Sequence, residues 1–333
     1  MSDDGLVLRR ATPADRAEII RLLAASLGRE DDPRYETLYA WKHEENAFGA
    51  SPAWVACDGD RIAGFRALMR WEFTRGDAFV QAVRAVDTAT HPEYQSRGIF
   101  TRLTLHGIDE LRRTGLPTPR GHEPVGFVFN TPNAQSRPGY LKMGWEVVGR
   151  PPTSFRPRSI GSAVRMLRSR TPAERWSSPS TVGAPAAEVL SDTATLDALL
   201  ASRPRPRTLR THHTAATLQW RFSTPLLAYR AVVGRGGLAD GVAILRVRAR
   251  GDAREAALCE VLAPDDAPSA RRALVRAVRR HLDADYVLRL GTARDGLLPL
   301  PGQGPILTWR SVTETAVPAL DAWSLTLGDI ELF

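Results

Sequence analysis

The feature that most limits how this 333-residue chain can fold is a change of hydrophobic period between residues 78 and 113. From Ala78 to Thr90 the run AFVQAVRAVDTAT has the small, β-branched and aromatic content of a strand. From Gly98 to Arg113 the period becomes helical, with Ile99, Phe100, Leu103 and Leu111 on one face and Arg102, Asp109, Arg112 and Arg113 on the other. Between them lies His91-Pro92-Glu93-Tyr94-Gln95-Ser96-Arg97-Gly98, where a proline ends the strand and a glycine opens the helix. A strand that turns so tightly into an amphipathic helix commits the chain to layered α/β packing.

The same junction defines an anion site. The first turn of a helix leaves backbone N–H groups unpaired and carries partial positive charge, so a diphosphate can dock against main chain there. Gly98 removes the side chain that would block the approach, and Arg97 adds charge.

Around this junction the expected order is a short apolar run at Leu6–Leu8, then a helix capped by Thr12-Pro13 that ends at Gly28, and a second helix from Pro33 to Asn46. Strands at 53–57, 62–73 and 78–90 follow as an antiparallel meander, the first two joined by Asp58-Gly59-Asp60. After the amphipathic helix come a strand at Val125–Phe129, a helix over Asn133–Met143 closed by Gly144, and a strand beginning at Trp145.

Two motifs in this order resemble the GNAT acetyltransferases. Gln95, Arg97 and Gly98 match the coenzyme loop of that family, and Phe100 departs from it where Gly or Ala is usual. Asn130-Thr-Pro-Asn133-Ala-Gln-Ser-Arg-Pro-Gly-Tyr140, followed by Gly144-Trp145, resembles the family's closing motif. The resemblance covers roughly residues 5–155 and implies a mixed-sheet α/β fold of the GNAT type. It also implies acetyl-CoA or another acyl-CoA as cosubstrate, with no metal. By the same resemblance, residues Gln95, Ser96, Arg97, Gly98, Ile99 and Phe100 hold the coenzyme A pyrophosphate. The backbone of Thr88, Ala89 and Thr90 pairs with the pantetheine arm, Asn130 and Asn133 line the slot, and Tyr140 protonates the departing thiolate. A phenol of pKa about 10 remains protonated at neutral pH and so has a proton to give.

An ammonium acceptor must lose a proton before it attacks, and several groups are placed to assist. Asp87, in the strand expected beneath the thioester, is the first candidate, and Glu72 on the neighbouring strand the second. His43, Glu44 and Glu45 lie on a helix that lines the acceptor cleft in similar enzymes, although a solvated helix face is the plainer reading. A resemblance to the enhanced-intracellular-survival type of aminoglycoside acetyltransferase adds the α-carboxylate of Phe333.

Pro-, Ser- and Arg-rich residues predict a linker over 156–186 between domains at 1–155 and 187–333. The second domain repeats the order of the first, and Thr217-Leu-Gln-Trp220-Arg echoes Thr37-Leu-Tyr-Ala-Trp41-Lys, so a duplicated fold is expected. Its counterpart of the coenzyme loop, Ala263-Pro-Asp265-Asp266-Ala-Pro268, has no glycine and two acids, so a non-catalytic lobe that repels coenzyme A is expected.

The net charge of +8 rests on arginine, since Lys42 and Lys142 are the only lysines, and arginine-for-lysine usage fits a GC-rich genome better than a nucleic-acid partner. Leading expectations are therefore N-acylation of a small-molecule amine by a cytoplasmic monomer or homodimer, without a membrane partner. The alternative is aminoacyl transfer from aminoacyl-tRNA, with Arg165, Arg168, Arg170, Arg203, Arg205, Arg207 and Arg210 as RNA contacts.

Overall fold

The computed structural model describes residues 5–28, 32–314 and 316–331. Phe333, proposed above as a base, lies outside the described residues.

The first half builds β1 (Val7–Arg10), α1 (Arg16–Leu27), α2 (Arg34–Tyr39), β2 (Ala53–Asp58), β3 (Arg61–Arg75), β4 (Ala78–Thr90), α3 (Ile99–Thr114), β5 (Val125–Asn130), α4 (Arg137–Lys142) and β6 (Glu146–Gly149). The second expected helix is shorter than its pattern: α2 gives way to a π-type turn over Ala40–Glu44. Strand β7 (Thr153–Pro157) and helix α5 (Ile160–Arg168) follow, so the expected division at 155 falls inside a strand and the expected linker holds a helix. The second half contains α6 (Ala215–Phe222), β8 (Arg230–Gly234), β9 (Gly237–Arg250), β10 (Ala253–Leu262), α7 (Pro268–Arg280), β11 (Tyr286–Leu290), β12 (Leu307–Ser311) and a last turn, α8 (Leu327–Ile330).

Among the described residues there are two large mixed sheets. The first runs β1-β2-β3-β4-β5-β12-β6, with Arg210–Thr211 also pairing on β3; the second runs Ala184–Pro185, β8-β9-β10-β11-β7 and Leu298–Pro299. In each, a meander (β2-β3-β4 or β8-β9-β10) leads through a helix to a strand parallel to the last one, β5 beside β4 and β11 beside β10. Each is then extended by a strand from the other half: β12 pairs β5, and β7 pairs β11. This exchange is a long-range pairing that local pattern does not encode, because β7 and β12 carry ordinary strand composition.

Helix α3 packs on the first sheet closely enough that a Cβ on Gly64 would meet Ile99 Cγ2 at 2.4 Å. One apolar core, including Trp41, Trp71, Phe127, Phe129, Leu218, Phe222, Ile244 and Trp323, joins the two halves. The echoed segments meet there: Trp41 and Trp220 stack at 5.4 Å, and each indole N–H donates to the other's carbonyl, at 2.7 and 2.8 Å. No helix among the described residues is long and apolar enough to cross a membrane.

Candidate active site

The site is set by a bulge and a divergence in β4. Thr88 pairs with Arg66 and Val86 with Ala67, which leaves Asp87 unpaired between them at φ 29°. Such a bulge bends a strand and turns a side chain out of the ladder, at a cost of about 1–3 kcal/mol for the backbone. On its other side β4 pairs with β5 only from Gln81 to Arg84, opposite Val125 to Phe129. The strands then part, so Thr88, Ala89 and Thr90 present a backbone edge that β5 does not cover.

The divergence opens at the head of α3. Residues Gln95, Ser96, Arg97 and Gly98 are exposed, Ser96 and Gly98 have φ of 64° and 70°, and a Cβ on Gly98 would meet nothing within 4 Å. Arg97 is held by its guanidinium over the Tyr94 ring at 4.9 Å, and Tyr94 donates to Asp58 at 2.7 Å. The loop is thus braced from below and open above, with the first-turn N–H groups of a 16-residue helix facing the opening. Ile99 is buried against the sheet. Phe100 turns inward, edge-on to Tyr140 at 5.4 Å, so its bulk does not occupy the loop.

Tyr140 is buried on α4, and its hydroxyl accepts a hydrogen bond from Arg66 Nη2 at 3.0 Å. Arg66 is 1% exposed, and its Nε and Nη1 have no partner among the described residues. An arginine buried with open donors is costly unless an acceptor joins it, and a guanidinium on the phenol oxygen stabilises the charge that forms when the proton leaves. Sequence reasoning missed Arg66. The clue was a charge inside β3's otherwise apolar run, Phe65-Arg66-Ala67-Leu68-Met69.

Across the bulge, Asp87 Oδ2 accepts from Lys42 Nζ at 2.5 Å and pairs with His43 Nε2 at 2.9 Å, while His43 Nδ1 contacts Ser51 Oγ at 3.0 Å. Burial would raise the Asp87 pKa, but the Lys42 ammonium and the His43 hydrogen bond outweigh it and hold the carboxyl well below its ordinary range. Burial pushes His43 below the usual histidine range against the pull of Asp87, so the ring is neutral at pH 7. His43 is therefore no solvated face residue, whereas Glu44 and Glu45 are exposed and Glu44 binds Arg16 at 2.7 Å. Ile20, Leu23, Leu38, Tyr35 and Tyr39 line a crevice that ends on Lys42 and Asp87.

The other predicted residues lie as follows. Asn130 is buried where β5 leaves β4, its Oδ1 accepting from Thr308 Oγ1 at 2.5 Å. Asn133 is exposed and shapes the turn into α4, accepting from the N–H groups of Gln135 and Ser136 at 3.0 and 2.8 Å. Glu72 is not brought to the bulge; six residues along the strand put it about 20 Å away. There it is bound by His212, Gln81 and Arg120. Of the arginines considered as RNA contacts, Arg203 and Arg210 pair with Asp266, and Arg165 with Asp285. The acids expected to repel phosphate are thus partly neutralised.

Residues 7–148 match the family model of the acetyltransferase (GNAT) domain. Residues 7–148 are therefore a GNAT acetyltransferase domain, and within them lie the bulge and the divergence after Arg84. No curated protein is similar in sequence at a significant level. Solved structures with the same fold include a GCN5-related N-acetyltransferase from Anabaena variabilis ATCC 29413 (13% identity, TM-score 0.61; 92% of this chain, 73% of that one). A GCN5-related N-acetyltransferase from Kribbella flavida is similar at 16% identity and TM-score 0.57, covering 92% and 72%. Eis1 from Mycobacterium abscessus is similar at 16% identity and TM-score 0.54, covering 92% and 74%.

Proposed function

We propose that the chain is an acyl-CoA-dependent N-acyltransferase, with acetyl-CoA as the expected donor and a small-molecule amine as acceptor. The observation that carries this reading is the open main-chain loop at Gln95–Gly98, set beside the free β4 edge and flanked by Tyr140 on one side and Asp87 on the other. The loop would hold the pyrophosphate, and the Thr88–Thr90 backbone the pantetheine arm and thioester carbonyl. The acceptor amine enters along the crevice between α1 and α2, whose apolar lining favours an amine with an apolar body.

Asp87 acts in this scheme as an anchor for the acceptor's positive charge. A carboxylate so strongly stabilised by Lys42 and His43 is too weak a base to keep the proton, which passes to water. The free nitrogen attacks the thioester carbon, the N–C bond forms and the C–S bond breaks, Tyr140 gives its proton to the sulfur, and the second proton on the nitrogen leaves through water and restores the Tyr140 phenol. The buried donors of Arg66 stabilise the tyrosinate left behind. Residues 1–155 supply this chemistry, and residues 187–333 are the duplicated, supporting half; the repeated element order and the Trp41–Trp220 pair favour that relation.

The test is thiol release from acetyl-CoA with a panel of amines. Tyr140→Phe is expected to lower kcat by about 10²–10⁴-fold with little change in KM for acyl-CoA. Gly98→Asp, which places an anion in the loop, is expected to abolish coenzyme A binding in calorimetry. Absence of both heat and thiol release in the unaltered chain would sink the proposal.

A further inference from the structure

The second sheet repeats the two devices of the first. In β10, Glu260 pairs with Ile244 and Leu258 with Leu245, which leaves Cys259 as a bulge at the position Asp87 holds in β4. Beyond Ala257 and Leu288 the parallel pairing of β10 and β11 stops, as that of β4 and β5 does beyond Arg84. This second divergence is not filled by side chains. It opens into a cavity of about 1160 Å³, lined along its length by β10 residues 258–261 and by Leu290, Gly291 and Thr292 at the end of β11. That is at the upper end of what small-molecule sites enclose.

One wall of the cavity is an arginine cluster. Arg203 and Arg210 share Asp266, at 2.7 and 2.8 Å. Arg271, Arg289 and Arg294 share Asp295, at 3.5, 2.7 and 3.9 Å. With Arg272 on the first turns of α7, six arginines face the cavity, and Glu260, Asp321 and Asp329 line it as well, so six cations meet five carboxylates in a partly buried space. The Arg289 side chain is 6% exposed, with Nε buried and unpartnered. Burial pushes Arg289 below the ordinary arginine range, Asp295 pulls against it, and the neighbouring Arg271 adds to the lowering. Guanidiniums in that arrangement match the geometry of clustered oxyanions.

We propose that the divergence between β10 and β11 is a second ligand site, which takes a small polyanion bearing phosphate or clustered carboxylate groups. The first half offers phosphate a main-chain loop; the second offers side chains instead, because its loop lacks glycine but is surrounded by arginine. The site is separate from the coenzyme slot and stands or falls without it.

The test is titration calorimetry of the full chain with inorganic pyrophosphate and, separately, with citrate, each up to about 10 mM, since weaker binding would lack meaning at ordinary solute levels. Four proteins are compared: the unaltered chain, Arg271→Glu/Arg272→Glu, Thr292→Trp, which fills the cavity from its exposed rim, and Gly98→Asp in the first loop. Binding of either anion that survives Gly98→Asp, weakens about tenfold or more in the double variant and is lost in Thr292→Trp supports the site. Retained melting temperatures establish that the variants fold. The proposal is overturned if neither anion binds, if binding is unchanged in both second-half variants, or if only Gly98→Asp removes it.

Discussion

The two halves place a strand bulge, a basic residue and a carboxylate at corresponding points but use them differently. In the first, the bulge residue is itself the carboxylate: Asp87, 21% exposed at the end of a crevice and held by Lys42 and His43. In the second, the bulge residue is Cys259, and Arg221, which echoes Lys42, meets a carboxylate from the last turn of the chain. Glu331 lies buried at 3.6 Å from Arg221 and 3.0 Å from Arg246, accepts from the Tyr229 hydroxyl at 2.7 Å and contacts Cys259 Sγ at 3.2 Å. The same frame thus leaves the bulge side chain accessible in one half and ties it to a buried carboxylate from the last turn in the other, while the divergence beyond that bulge stays open. A buried charge network stabilises only while complete, whereas an exposed carboxylate remains available to a ligand.

Removing that buried carboxylate has the largest expected effect. Glu331→Ala leaves Arg221, Arg246 and Arg248 without their shared anion and is expected to cost about 3–5 kcal/mol, read as a fall in Tm or in denaturant midpoint. Burial raises the Glu331 pKa, but the three arginines and Tyr229 bring it down to about 2. Its contribution is therefore full above the ordinary glutamate value and lost as pH falls toward 2. In the first half, Asp87→Asn removes charge without volume. It is expected to lower kcat/KM for the amine about ten- to hundredfold while leaving the KM for acyl-CoA nearly unchanged. An unchanged amine dependence would break the contrast between an accessible and a tied bulge residue.

Glu260 sharpens the comparison through pH. Burial, and then the facing Asp329, push its pKa up to about 8. The native state keeps this proton from the ordinary glutamate value up to about 8, whereas the unfolded chain releases it, so the contribution of Glu260 is full below that window and declines across it. The slope is expected to reach about 1.4 kcal/mol per pH unit at most, and Glu260→Gln should flatten it in chemical denaturation at stepped pH. The smallest effect is at the pseudo-symmetric contact: Trp220→Phe deletes one of two reciprocal indole bonds and is expected to cost about 1 kcal/mol. A Trp41→Phe/Trp220→Phe cycle should yield a coupling energy, and strict additivity would show that the echoed segments meet without cooperating.

Much of the first half was legible because its determinants are local. The β4 run, the Pro92-to-Gly98 turn, the amphipathic face of α3 and the spacing to Tyr140 all lie within stretches where period and turn chemistry act over a few residues. Asp87 was visible as an acid in the right strand, but its low pKa was not, since Lys42 and His43 reach it from a helix more than forty residues earlier. Arg66 was hidden for the same reason: only the packed structure brings its guanidinium to the Tyr140 hydroxyl.

By itself the sequence determined the GNAT-type frame of the first half, the open loop and the tyrosine behind it, because each follows from short-range backbone rules. Tertiary structure alone decided that β7 and β12 cross between the sheets, that Glu331 reaches the second bulge, and that five arginines gather around Asp266 and Asp295. Those outcomes depend on which distant segments share a buried space, where burial and charge balance act on neighbours that the order of residues does not reveal.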